Sequence, residues 1–179
     1  MKKYIAFLRA INVGGHNVKM EDLRKLFEEL GFEKVETFIA SGNVIFETKS
    51  GNTNTLEKKI ETFLHKSLGY EVAAFIRTNS ELQEIINSKP FKETDLKSAQ
   101  AFNVAFVKEP LSTEQKKKLG EFKTEIDDFN TKGNEVYWLC KVKQSDSKFS
   151  NAQFERALKI QATFRGIKTV SKLAAKYPA

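Results

Sequence analysis

Val35-Glu36-Thr37-Phe38-Ile39, then Ala40, the turn Ser41-Gly42-Asn43, and Val44-Ile45-Phe46 read as two strands folded back on one another, and this pair decides the fold. A stretch of helical period stands on each side. Before the pair, Met20, Leu23, Leu26, Phe27 and Leu30 repeat at helical spacing, and Gly31 sits where a helix end wants a left-handed residue. After it, Leu56, Ile60, Phe63 and Leu64 mark a second helix, with Asn54 and Glu57 as its N-cap pair and Gly69 as its stop. Strand formers at Tyr4 to Ala10 and Val72 to Ile76 complete β-α-β-β-α-β, the split βαβ unit of ferredoxin-like folds.

The order then repeats. Ser80 to Asn87 reads as a helix and the loop around Pro90 as a linker. Ala101 to Val107 is a strand, Ser112 and Gln115 form a capping box, and the helix they open stops near Gly120. Phe122 to Phe129 is read as a strand, although Asp127-Asp128 also fits a helix end; it turns at Thr131-Lys132-Gly133-Asn134 into the strong strand Glu135 to Lys141. Ser150 with Gln153 caps another helix, Ala162 to Arg165 is a short strand, and Ile167, Val170, Leu173, Ala174 and Tyr177 give a closing helix one apolar face. The expected architecture is α+β: two tandem ferredoxin-like βαββαβ plaits over residues 1–78 and 100–179, joined by a helix and linker over 79–99, with a closing C-terminal helix that is basic. No residue-level repeat accompanies the repeated order.

Composition fits an ordered globular chain: 179 residues, 40% hydrophobic, with 3 prolines and 9 glycines. The formal charge is +7, and its location matters more than its size. Residues 141–179 hold 9 basic side chains against Asp146 and Glu155, while residues 1–140 are balanced, so a polyanion partner is expected to touch the C-terminal part. A single cysteine, Cys140, cannot form an intramolecular disulfide. Arg9 ends the first apolar run too early for a signal peptide, and no segment is long enough to span a membrane, so the reading expects a cytoplasmic protein without membrane partners.

In a split βαβ sheet the first and third strands are neighbours, which brings the end of one beside the start of the other. Arg9 and the loop Asn12, Gly14, Gly15, His16 and Asn17 should therefore meet Ser41, Gly42 and Asn43 under the N-terminus of a helix beginning near Lys19. Glycines free the backbone amides to approach a ligand, and a helix N-terminus adds positive potential. Such a cluster suits an anion. The plainer alternative is that Gly14-Gly15 only turns the chain, Ser41-Gly42-Asn43 only closes a hairpin and Arg9 pairs with a carboxylate.

Arg165, Lys168, Lys172 and Lys176 form the basic element of the tail, the three lysines falling on one helical stripe that could track a phosphate backbone or simply face water. His16, His65 and Cys140 are too scattered for a metal site, and none is expected. No nucleotide fingerprint, phosphate loop or nucleophile elbow occurs, so no cofactor is expected and no catalytic residue can be named.

Phe7-Leu8-Arg9-Ala10-Ile11-Asn12-Val13-Gly14-Gly15-His16-Asn17 with Met20 and Leu23, followed by Ser41-Gly42-Asn43-Val44-Ile45-Phe46, resembles the signature of the bacterial family DUF1697, a domain of unknown function. The resemblance extends through Pro90-Phe91, Val104-Ala105-Phe106 and Glu135-Val136-Tyr137 to Ala162-Thr163-Phe164-Arg165 with Thr169-Val170 and Lys172-Leu173, essentially the whole chain. Members usually continue Arg165 with Asn-Trp-Asn, where this chain has Gly166-Ile167-Lys168, and usually have Thr where Phe164 stands. The family implies a duplicated α/β plait and supplies no activity. Two functions are expected. The first is a non-catalytic binding module for an anionic ligand, nucleic acid or nucleotide, at the glycine-rich edge with the basic helix as a second contact. The alternative is an enzyme acting on a small phosphorylated or carboxylated metabolite, with Arg9 as anion anchor and His16 as proton shuttle. Ser41 and Asn43 stand where an RRM-type strand would carry its stacking aromatics, which counts against that mode of RNA binding.

Overall fold

A computed structural model describes residues 1–12, 14–39, 42–49 and 51–179. It divides into two compact units, Met1–Glu84 with Leu173–Ala179, and Ile85–Lys172. The architecture is α+β, with two β-α-β-β-α-β repeats and a four-stranded antiparallel sheet in each.

In the first unit β1 (Lys2–Arg9) is central and buried from Tyr4 to Leu8, as expected for a nearly continuous apolar run. Its neighbours are β3 (Asn43–Thr48) and β4 (Ala73–Thr78), and β2 (Glu33–Thr37) pairs outside β3, giving the order β2-β3-β1-β4. Alternate residues point to opposite faces. Tyr4, Ala6, Leu8, Val44, Phe46, Ala74 and Ile76 share the face covered by α1 (Met20–Glu29) and α2 (Thr53–Leu68). There Leu23 and Phe27 of α1 meet Leu56, Ile60 and Leu64 of α2, and Phe32 stacks on Phe46 at 4.4 Å between ring centroids. The N-cap of α2 is Asn52, two residues before the expected Asn54: its side chain accepts from the Thr55 amide at 3.0 Å. The helix stops at Gly69, whose φ of 82° is left-handed.

The 79–99 segment carries two helices, α3 (Asn79–Asn87) and the unforeseen α4 (Glu93–Ser98). In the second unit the order is β6-β7-β5-β8, from β5 (Ala101–Phe106), β6 (Asp127–Lys132), β7 (Glu135–Cys140) and β8 (Thr163–Gly166). Helices α5 (Thr113–Gly120) and α6 (Asn151–Leu158) contribute Leu119, Phe154 and Leu158 to a core with Ala105, Val136, Trp138 and Phe149. The Ser112–Gln115 capping box is complete, and Ser150 accepts from the Gln153 amide.

The strand expected over 122–129 is displaced to Asp127–Lys132. The cause is Asp127, 3% exposed, whose carboxylate accepts from Trp138 Nε1 at 2.9 Å and from Ser147 Oγ at 2.9 Å. Thr124 Oγ1 accepts from the Ile126 and Asp127 amides, so the chain turns just before the strand. The Asp127-Asp128 pair that resembles a helix end therefore opens a strand. The closing helix α7 (Ile167–Lys176) follows β8 directly. No helix among the described residues is long and apolar enough to cross a membrane.

Candidate functional site

The end of β1 and the start of β3 meet. The Leu8 amide donates to Gly42 O at 2.9 Å, and Phe7 is registered opposite Asn43. Gly42 has φ of 78°, and a Cβ there would stand 2.8 Å from Ile11 Cγ2 and 3.2 Å from Leu8 Cβ. Glycine is thus required twice, by conformation and by space. Asn43, fully buried, donates from Nδ2 to Phe38 O at 2.9 Å while its own carbonyl accepts from the Phe38 amide at 3.0 Å. Ser41 lies outside the described residues, as do Val13, Ala40 and Ser50.

Ile11 packs against this edge at Gly42, and the described residues that follow it lead to α1. Asn12 Oδ1 accepts from the Val18 amide at 2.8 Å, and Tyr70 donates its phenol to Ile11 O at 2.8 Å. Burial pushes the Tyr70 phenol above its ordinary range. His16, exposed, stacks on the Tyr70 ring with centroids 3.8 Å apart and planes inclined by 18°. Gly14 and Gly15 are both exposed and left-handed, at φ of 62° and 85°, with no atom within 4 Å of where a side chain would begin. Asn17 is exposed and Arg9 half-buried.

Among the described residues, two non-glycines beside this edge also adopt positive φ: Ala10 at 64° and Ile39 at 59°. Each costs on the order of 1–3 kcal/mol, and such strain collects at functional sites. Ile39 is β-branched and 51% exposed, so neither conformational preference nor burial favours its position. Helix α1 begins beyond Lys19, which makes no side-chain cap, and carries Glu21 and Asp22 in its first turn.

Of the sequence-derived residues, Gly42 and Asn43 meet the end of β1 and His16 is tied to Ile11 through Tyr70, while Gly14 and Gly15 stand open; Asn12 and Asn43 spend their side chains on the loop and hairpin themselves. Tyr70 escaped the sequence reading. Its only signal is a position just after a helix-ending glycine.

The tail's basic residues are in different surroundings. Arg165 is half-buried; one guanidinium nitrogen donates to Thr163 Oγ1 at 2.7 Å and to Phe164 O at 3.0 Å, and burial lowers its pKa to about 10. Lys176 Nζ lies 3.7 Å from Glu36 Oε2 and 5.5 Å above the Phe38 ring. Lys168 and Lys172 are exposed. The lysine stripe is continuous along the helix but not in its chemistry. No group of His, Cys, Asp and Glu among the described residues is arranged to hold a metal ion.

The model of the family described as "Protein of unknown function (DUF1697)" matches residues 1–137. The match ends within β7 and leaves out the Arg165 segment. No curated protein matches the chain. Among solved structures, a conserved bacterial protein from Streptococcus pneumoniae is similar over 100% of this chain and 99% of its own, with a TM-score of 0.77 and 24% identity. That likeness shows a shared fold.

Proposed function

The chain belongs to the DUF1697 family, and on that premise we propose that it is a non-catalytic binding module for an anionic ligand, a nucleotide or nucleic acid, taken at the glycine-rich edge of the first sheet. The observation that carries this reading is the pair Gly14 and Gly15, consecutive, exposed and left-handed, with open space where side chains would stand. Backbone amides so presented suit an anion. Support comes from the strained Ala10 and Ile39 and from the loop's internal bonds through Asn12 and Tyr70, which hold its shape before any ligand arrives. The exposed His16 ring, backed by Tyr70, offers a flat surface for a nucleobase. Since Glu21 and Asp22 already complement the dipole of α1, the loop amides and Arg9 are the groups assigned to the ligand's charge. Lys168 and Lys172 are the tail residues assigned to a longer nucleic acid.

We read each repeat as a ferredoxin-like plait arising by duplication. The matching orders β2-β3-β1-β4 and β6-β7-β5-β8 support this. A cytoplasmic location agrees with the single buried cysteine.

The test is fluorescence anisotropy with labelled mononucleotide, single-stranded and double-stranded oligonucleotides across a range of salt. Binding that weakens with salt and falls several-fold in Gly15→Ala supports the reading; no binding at low salt sinks it. The enzymatic alternative draws on the same edge, because Tyr70 fixes the plane of the His16 imidazole. It expects thermal stabilisation by a small phosphorylated or carboxylated metabolite that disappears in Arg9→Ala.

A further inference from the structure

A cleft of about 500 Å³ opens in the second unit where β8 stops at Gly166 and α7 begins at Ile167. β5 is paired with β8 only from Asn103 onward, so on that side its edge at Ala101 and Phe102 is left without a strand neighbour. Phe102, Ile167 and Leu96 give the cleft apolar walls, and Lys168 supplies an exposed ammonium. Asn103 also lines it. That residue is 6% exposed, and its amide nitrogen is buried without a hydrogen-bond partner. Buried donors are nearly always satisfied, and one left open costs stability unless something else meets it. Gly166, registered opposite Asn103, has no side chain to fill the space; a Cβ there would stand 4.0 Å from Asn103 Oδ1.

No carboxylate is among the described residues that line the cleft; the Gln100 and Asn103 amides can donate or accept, while the Lys168 ammonium and the leading amides of the ten-residue α7 bring only donors. Apolar walls with a few converging donors are the chemistry of a site for a small organic molecule, and the volume is of that class.

We infer that this cleft binds a small organic carboxylate with an apolar body, its carboxylate meeting Lys168 and the start of α7 and, once the Asn103 side chain turns, its unpartnered amide, and its body lying against Phe102 and Ile167. One carboxylate fits better than a phosphate, because a single ammonium serves the site and the walls are mainly apolar. The site is independent of the glycine-rich edge, and its residues report separately from those of that edge.

The experiment is an NMR titration of the full ¹⁵N-labelled chain with benzoate, with benzyl alcohol as the neutral analogue and inorganic phosphate as the competing anion. Benzoate should produce saturable shifts in the Asn103 side-chain amide and in the Phe102, Ile167 and Lys168 backbone amides, with no such response to benzyl alcohol. Lys168→Met, at an exposed position, and Asn103→Ala should each weaken binding about tenfold, the loss expected for one charge-assisted hydrogen bond. Asn103→Ala should melt no lower than the parent, since it removes an unsatisfied buried donor. The inference is overturned if benzoate gives no saturable shift, if phosphate moves these resonances while benzoate does not, if both variants bind as the parent does, or if Asn103→Ala melts well below the parent.

Discussion

Tyr177 donates its phenol to Glu36 Oε2 at 2.6 Å, linking the last residues of the chain to β2. The Lys3 ammonium lies 5.3 Å from the centre of the same ring, and Lys176 reaches Glu36 as well. Leu173–Ala179 therefore completes the first unit, although the tail follows the second in sequence.

Tyr177→Phe keeps the buried ring and loses only the hydrogen bond, so it should cost about 1 kcal/mol, measured as a lowered urea midpoint. The effect depends on pH. Burial first, and Glu36 second, push the phenol above its usual 10.0, so the fold favours the neutral form. The contribution is complete below the unfolded value and is lost as pH rises through the folded one. The alkaline decline in stability should be shallower in Tyr177→Phe than in the parent.

Gly42→Ala should destabilise more than Gly14→Ala. Both positions are left-handed, and each substitution carries about 1–2 kcal/mol of backbone strain. Only at Gly42 does the new methyl enter occupied space, 2.8 Å from Ile11 Cγ2. Overpacking there adds about 1–3 kcal/mol. Paired denaturation curves that coincide would contradict the close approach of β1 to the turn.

Asp127→Ala should cost about 1–3 kcal/mol, because the buried Trp138 N–H then lacks an acceptor. Trp138 is the only tryptophan in the chain, so its emission reports the change directly. Asp127→Asn retains one acceptor oxygen and should lie between the alanine variant and the parent.

Asp127 also shows where sequence reasoning stopped. Periodicity located β1, β3, α1, α2 and the hairpin that sets the order of the first sheet, because those signals are local and repeat along the chain. It also foresaw that the end of β1 would meet the turn at Gly42, since that follows from strand order alone. The displacement of β6 was not legible, because an aspartate reads as a strand breaker until its partners, Trp138 and Ser147, are known. The Tyr70 stack on His16 and the bond of Tyr177 to Glu36 join residues far apart in sequence, and no spacing rule reaches them. Asn52 was missed for a smaller reason: it and Asn54 are the same residue type two positions apart, and only the Thr55 amide distinguishes them.

Glu47→Gln should flatten the acid side of the stability profile. Lys34, 3.1 Å away, holds the Glu47 carboxyl below its ordinary range, and Lys3 at 3.7 Å acts in the same direction. A depressed folded value makes the contribution complete above the unfolded carboxyl pKa and lost as pH falls through the folded one. Lys34 is exposed, so added salt should reduce the difference between variant and parent. Denaturation midpoints across acidic pH at two ionic strengths check both statements.

Tyr70 separates the shape of the glycine-rich loop from its surface. Tyr70→Phe removes the bond to Ile11 O and preserves the stack under His16; Tyr70→Ala removes both. If the imidazole face receives a base, nucleotide affinity in the anisotropy assay should survive the phenylalanine substitution and fall about tenfold or more with alanine, as stacking of about 1–3 kcal/mol requires. If the backbone amides of Gly14 and Gly15 alone hold the ligand, the two variants should lose affinity equally, to the extent that each loosens the loop. His16→Ala then decides between them, since it deletes the platform and leaves the bond from Tyr70 to Ile11 in place: a large loss assigns recognition to the ring, and an unchanged affinity confines it to the anion.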